Sequence, residues 1–305
     1  MSEEMRRATI SEAQLQSLAP QSAQAVRPLP KMNTGPIHGL GALTMRDLRK
    51  YYSNRIQLII SLVQPVIWMG VFGKAMNFGS FIAASGAPQS VTNQVMLSTF
   101  GVTNYFGYLA CGQFASIVLF TSAFSGMSVV FDRRFGFLNK ALSTPVGRGT
   151  IVMAKVLQSV GRSLIQTTMI LVIAIVLGLD TSHITALGLI GSFTVIFFMA
   201  TGLSALYVML ALRSGDWQTQ MAIINLLNLP LIFASNSILP VKIMPDWLQV
   251  VVKLNPVSYA NDAIRQLLIG ATGSNVLLVD FGVIFSFAAI LSAAGILMSW
   301  RLLSK

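Results

Sequence analysis

DRRFGFLNKALSTPVGRGTIVMAK, residues Asp132 to Lys155, is the most polar interior segment of an otherwise oily chain. Phe131 closes one apolar run before it and Val156 opens another after it, so the segment joins two membrane spans. Its basic residues Arg133, Arg134, Lys140, Arg148 and Lys155 face a single acid, Asp132. Basic residues near span ends resist translocation, which puts this loop on the cytoplasmic side. Within it, Phe137, Leu138, Ala141 and Leu142 recur at helical spacing, with Asn139, Lys140 and Ser143 opposite. Asp132 suits the start of a short helix, and Pro145 stops it at about Ser143. The spacing predicts a small amphipathic helix at the cytoplasmic surface, within reach of a soluble partner.

The totals fit this reading. Of the 305 residues, 54% are hydrophobic and 10% charged, and the mean hydropathy is +0.68. Those values lie outside the soluble range and describe a polytopic membrane protein. The net charge of +11 is distributed by loop and not gathered on one soluble face, which argues against a nucleic-acid partner. The lone Cys111 sits in an apolar run and reads as a packing residue.

A span needs about 20 predominantly apolar residues. Six runs qualify, at about 56–72, 105–131, 156–179, 185–212, 221–239 and 277–300. Residues 1–36 are polar and lack an apolar signal-peptide core, and read as a disordered cytoplasmic tail. Residues 37–55 carry an apolar face with Arg46, Asp47, Arg49 and Lys50 opposite or flanking, the composition of an interfacial helix. With both termini cytoplasmic, 17 of the 21 basic residues fall inside; Lys74, Lys242, Lys253 and Arg265 fall outside. The expected fold class is therefore all-α, with six transmembrane helices and a cytoplasmic interfacial helix before the first. Between spans five and six, residues 240–270 predict two short helices, the second capped by Asn255, started by Pro256 and stopped by Gly270. Neither is long enough to cross, so the pair reads as a re-entrant hairpin on the outer side.

Chemistry of the chain's own is hard to find. No phosphate loop, dinucleotide fingerprint or G-x-S-x-G occurs, and His38 and His183 stand apart without metal-ligand companions. Ionisable residues are nearly missing from mid-span, where a proton- or sodium-coupled carrier would keep them. Arg162 is read as snorkelling to the cytoplasmic surface, and Asp280 as lying near the outer end of the sixth span.

Three stretches carry a resemblance. FGFLNKALSTPVGRGTIVMAKVL is similar to the cytoplasmic loop of ABC-2 type transporter permeases. FTSAFSGMSVVFDRR resembles the end of the second span in the daunorubicin-resistance-type multidrug branch, and SNSILPVKIMPDWLQVVVKLNPVSYANDAIRQLLIG resembles that family's outer hairpin. The resemblance covers residues from about Leu40 to the C-terminus and makes residues 37–305 one transmembrane domain. It implies a permease subunit, not itself an enzyme, of an ATP-binding cassette exporter in the plasma (inner) membrane. By the same resemblance two permeases pair, and each docks an ABC ATP-binding subunit that holds ATP and magnesium, so no cofactor is bound directly. The cargo implied is an amphiphilic drug or lipid; a polysaccharide or glycoconjugate exporter and a secondary carrier are the alternatives. Family members often carry an acid where Arg134 stands, so the docking contacts here differ.

The coupling residues expected from helix and resemblance together are Asp132, Arg133, Arg134, Phe137, Leu138, Lys140 and Leu142, with Phe137, Leu138 and Leu142 entering an ATPase groove. A loop lying on anionic lipid would share the pattern. Gln64, Asn225, Asn228 and Asn236 are the candidates for a substrate path; polar residues so placed also serve as glue between helices. Gly107, Gly112 and Gly126 read as points of close helix approach.

Overall fold

A computed structural model describes residues 36–75, 78–143, 147–271 and 275–302. The expected tail over residues 1–36 lies outside them but for Pro36. Every regular element among the described residues is helical. Five helical runs are long and apolar enough to cross a membrane: Leu58–Ile82, Gln89–Arg134, Gly149–Val176, Ala186–Arg213 and Leu277–Met298.

The chain starts with α1 (Pro36–Ser53), followed by α2 (Arg55–Ile67). Pro65 sits inside α2, and the helix passes through it before opening into a π-helical turn at Trp68–Phe72. Proline lacks an N–H and crowds the turn before it, and a widened turn is one way to absorb that. Helices α3 (Phe78–Ala84) and α4 (Gln89–Phe100) lie between the first two apolar runs.

Next come α5 (Tyr105–Arg134), α6 (Phe137–Leu142), α7 (Arg148–Val176), α8 (Ala186–Arg213) and α9 (Trp217–Phe233). The chain ends with α10 (Asp246–Leu254), α11 (Pro256–Ile269) and α12 (Leu277–Leu302). Helix α5 is the hub, buried on nearly every side and packed against α7, α8, α9 and α11. Small residues allow the approach: a Cβ on Gly126 would lie 2.6 Å from the Tyr207 carbonyl oxygen, and one on Gly112 would lie 2.2 Å from that of Ser237. α12 packs along α8 and α11.

Two boundaries differ from the sequence reading. The loop of residues 132–155 is mostly helix, because α5 runs on to Arg134 and α7 already starts at Arg148. Between α5 and α6 the chain reverses at Gly136, whose φ of 72° is a conformation that favours glycine. The fifth apolar run stops being helical at Phe233, not Leu239, and residues 234–239 form an irregular turn that is buried over 234–237. At 17 residues, α9 is about 25 Å long. Asn236 therefore sits in that turn and not in a span.

An irregular turn inside an apolar body must find partners for its backbone. Arg265, only 2% exposed, supplies them: its Nε donates to the Tyr108 carbonyl at 3.1 Å, and its Nη2 to those of Asn236 and Ser237 at 2.8 and 3.1 Å. Its guanidinium also lies 3.5 Å over the Tyr108 ring. Asn255 donates to Leu231 and Ala234 carbonyls, closing the end of α9. The same asparagine accepts from Val257 N–H and so caps α11, with Pro256 first and Gly270 at the end with φ of 61°. Arg265, counted outside the membrane from sequence, is thus an internal strut. Asp280 is likewise buried, held by the Gln266 and Asn275 amides at 3.0 and 3.3 Å.

Candidate functional site

The corner where α5, α6 and α7 meet is built on a charge cluster. Asp132 ends α5, Lys155 lies two turns into α7, and Asp47 is on α1. The Lys155 ammonium donates to Asp47 at 2.6 Å and pairs with Asp132 at 2.5 Å. Arg46 pairs with Asp47 and reaches Asp132 at 3.9 Å. Asp47 and Lys155 are each 7% exposed, so neither charge could be held there without the other. α1, expected to present its charges to water, is pinned through Asp47 to the root of α7. Burial pushes the Asp47 carboxyl up, but the Lys155 ammonium and the Arg46 guanidinium outweigh it and hold the group below its ordinary value of 3.8.

A depressed carboxyl contributes stability above its unfolded value and loses it as pH falls through the folded one. Docking of α1 should therefore be unchanged from pH 7 to about 5 and weaken only below about 4. Amide hydrogen exchange of residues 43–53 measures this; protection lost already at pH 6 would contradict it.

Above this cluster sits α6. Leu138 and Ala141 face inward against Ile151, with Leu43 and Phe137 at the edge. Leu138, expected to enter a partner's groove, is 6% exposed in the chain's own packing. Phe137 is half-buried beneath Arg46, whose Cζ lies 3.7 Å from its ring centre. The Leu142 side chain lies outside the described residues, though its backbone ends α6. Arg133 turns inward and donates to the Leu212 and Ser214 carbonyls at 2.9 and 3.0 Å, satisfying the end of α8. Outward remain Arg134, Phe135 and Lys140, and Phe135 is 78% exposed. The surface offered by this corner is a bare phenyl ring flanked by two cations, carried on a helix anchored from beneath.

The four substrate-path candidates are separated by the structure. Gln64 and Asn225 point outward, whereas Asn228 is buried and accepts from the Tyr207 hydroxyl. Asn236 donates to Asp262 at 2.6 Å and accepts from Asn261 at 3.1 Å, deep in the turn that Arg265 closes. Gln64 lines two cavities on the flank of α5, of about 220 and 190 Å³, and Asn225, Asn228 and Asn236 line neither. Sequence reasoning missed Asp47, Lys155 and Arg265. The signal for Asp47 was an acid alone among Arg46, Arg49 and Lys50; for Lys155, a cation one residue before an apolar run.

Residues 38–269 match the family model described as ABC-2 type transporter. The chain is 28% identical over 253 residues to a putative transport permease ycf38 of Porphyra purpurea, covering 79% of this chain and 80% of that protein. It is 30% identical over 213 residues to the ycf38 permease of Cyanophora paradoxa, covering 70% and 68%. A daunorubicin resistance ABC transporter permease protein, DrrB1 of Streptomyces coeruleorubidus, is 23% identical over 237 residues, covering 76% and 77%. A match over most of the chain, on a body of long apolar helices, shows that this protein belongs to the ABC-2 type transporter family, the transmembrane subunits of ABC transporters.

Proposed function

We propose that the chain is the membrane-spanning permease of an ATP-binding cassette exporter, which moves an amphiphilic drug- or lipid-like substrate out of the cytoplasm with ATP hydrolysed on a separate subunit. The observation that carries this is the construction of the α6 corner. A six-residue helix hangs between two long apolar helices, is keyed inward by Leu138 and Ala141, and offers Phe135, Arg134 and Lys140 outward. Such a piece transmits a push to α5 and α7 because the Asp132–Lys155–Asp47 cluster ties both to α1. In this reading Leu138 is the anchor of the coupling helix, and the exposed ring and cations meet the ATPase. Drug-resistance permeases among the relatives support the exporter direction.

The topology proposed has six spans, with α9 as the short fifth, both termini cytoplasmic, and α10 and α11 as a re-entrant hairpin on the outer side of the plasma (inner) membrane. The outward Gln64 and Asn225 then face lipid, substrate or a second permease copy. Phe135→Asp is expected to cut ATP-dependent export at least tenfold while membrane insertion and folding stay unchanged; Leu138→Asp should abolish export by unseating α6. The measurement is efflux from cells or vesicles carrying the permease with its ATPase. Full export by both variants would remove the coupling role of this corner.

A further inference from the structure

Three cavities join end to end along the flank of α5. The lowest, about 220 Å³, lies against Asp47, Lys50, Lys155 and Arg162. It shares Tyr51, Phe124 and Arg162 with the middle cavity of about 220 Å³. The middle one shares Gln64, Pro65, Ile117 and Phe120 with an upper cavity of about 190 Å³ that reaches Trp68 and Gln113. From Phe124 to Gln113 the groove follows eleven residues of α5, about 17 Å. That is close to one leaflet of hydrocarbon, roughly 15 Å.

The chemistry changes along this path. The upper two cavities are walled mainly by rings and aliphatic side chains, with the neutral Gln64, Thr121, Gln113 and Ser116 among them, whereas charge is confined to the lower end, where Arg162 stands at the junction. There the two acids are already engaged, since Asp47 and Asp132 both bind Lys155. Among the described residues no carboxylate pairs with Arg162. Its guanidinium lies 4.6 Å from the Tyr51 ring centre, and the Gln158 oxygen, with the amide turned to face it, accepts from Nε at 2.9 Å. Arg162 was expected to snorkel outward, yet it stands where the charged and apolar cavities meet. Beside it a neutral polar array, Gln166 donating to the Tyr51 hydroxyl at 2.6 Å and Tyr51 joined to Ser61 at 3.2 Å, edges the apolar wall. A cation without a carboxylate partner at the foot of a leaflet-long apolar groove complements one kind of molecule.

We propose that this groove takes an amphiphile with an anionic head, the head on Arg162 and Lys50 and the hydrocarbon between Pro65, Ile117, Phe120 and Trp68. That the amphiphile is cargo rests on the export reading above; that it binds does not. The test uses the full chain in detergent without ATP and two probes of equal chain length, lysophosphatidylglycerol and lysophosphatidylcholine, with binding followed by native mass spectrometry. The anionic probe should bind at least tenfold more tightly. Arg162→Gln should erase that preference and Arg162→Lys should keep most of it. Phe120→Trp, which fills the groove without touching charge, should weaken both probes alike. Inorganic phosphate should not compete, which separates an amphiphile site from a bare anion site. A thermal melt checks that each variant is folded, and Lys50→Gln supplies a second charge deletion.

Equal binding of the two heads, or a preference that survives Arg162→Gln, overturns the proposal. So does complete disulfide crosslinking of Gln64→Cys between two permease copies in the assembled transporter, because the second copy would then cover the groove. Loss of ATP-driven export with lipid binding intact would instead strike the exporter reading.

Discussion

Replacing Arg265 by methionine is expected to lower the thermal midpoint of the solubilised protein by about 5–10 °C, a loss of roughly 2–4 kcal/mol. One guanidinium serves three carbonyls on two segments that are more than a hundred residues apart. Not all three are orphaned by its removal. The Asn236 carbonyl keeps the Tyr108 hydroxyl at 2.9 Å, whereas the Ser237 carbonyl is left without a donor in a buried place. A buried unmade hydrogen bond costs about 1–3 kcal/mol, and the turn between α9 and α10 loses its tie to α5 as well. Lysine should rescue little, because a single ammonium cannot match the fork that spans Tyr108 and the turn. A midpoint within a degree or two of the parent would show that the turn is held by something else.

The second large effect is expected at Lys155. Lys155→Met leaves Asp47 and Asp132 beside one another with only Arg46, which already favours Asp47 at 2.5 Å over Asp132 at 3.9 Å. Removing one partner from a buried charge cluster costs on the order of 3–5 kcal/mol. The loss should be local, appearing as undocking of α1 and faster proteolysis there, with the helices packed on α5 unaffected. The triple variant Lys155→Met, Asp47→Asn, Asp132→Asn should recover most of the docking, since it no longer leaves charges unpaired. If the single variant protects α1 as well as the parent does, the cluster is not what holds it.

The helical class, the long apolar runs and the family were legible in the residues, because runs of about 20 apolar side chains have few readings. The caps of α11 were legible for a similar reason: Asn255, Pro256 and Gly270 act locally, each through its own backbone preference. What escaped was long-range. The direction in which Asp47 and Lys155 point depends on a partner 108 residues away, which no spacing records. The inward turn of Leu138 depends on Ile151 across a loop, so an amphipathic pattern correctly marked an apolar face but not what that face meets. Arg265 looked like an outward charge on the hairpin because its three acceptors are carbonyls, which every residue has. The early end of α9 was legible in part, since Ser235, Asn236 and Ser237 are turn-forming residues, but the apolar residues on either side of them read as one continuous run.

Helix α5 is pinned near both ends: by Lys155 at Asp132, and by Arg265 at the Tyr108 carbonyl. Its 30 residues make a rod of about 45 Å with no proline and no broken turn. A rod so fastened is built to move as a whole rather than flex, and Gly112 and Gly126 are where its neighbours' backbones press nearest to it. Under the proposed coupling role, a displacement of α6 by a few ångströms at one end would arrive as a countermovement of the Arg265 turn at the other, and the groove on its flank would widen or narrow in step.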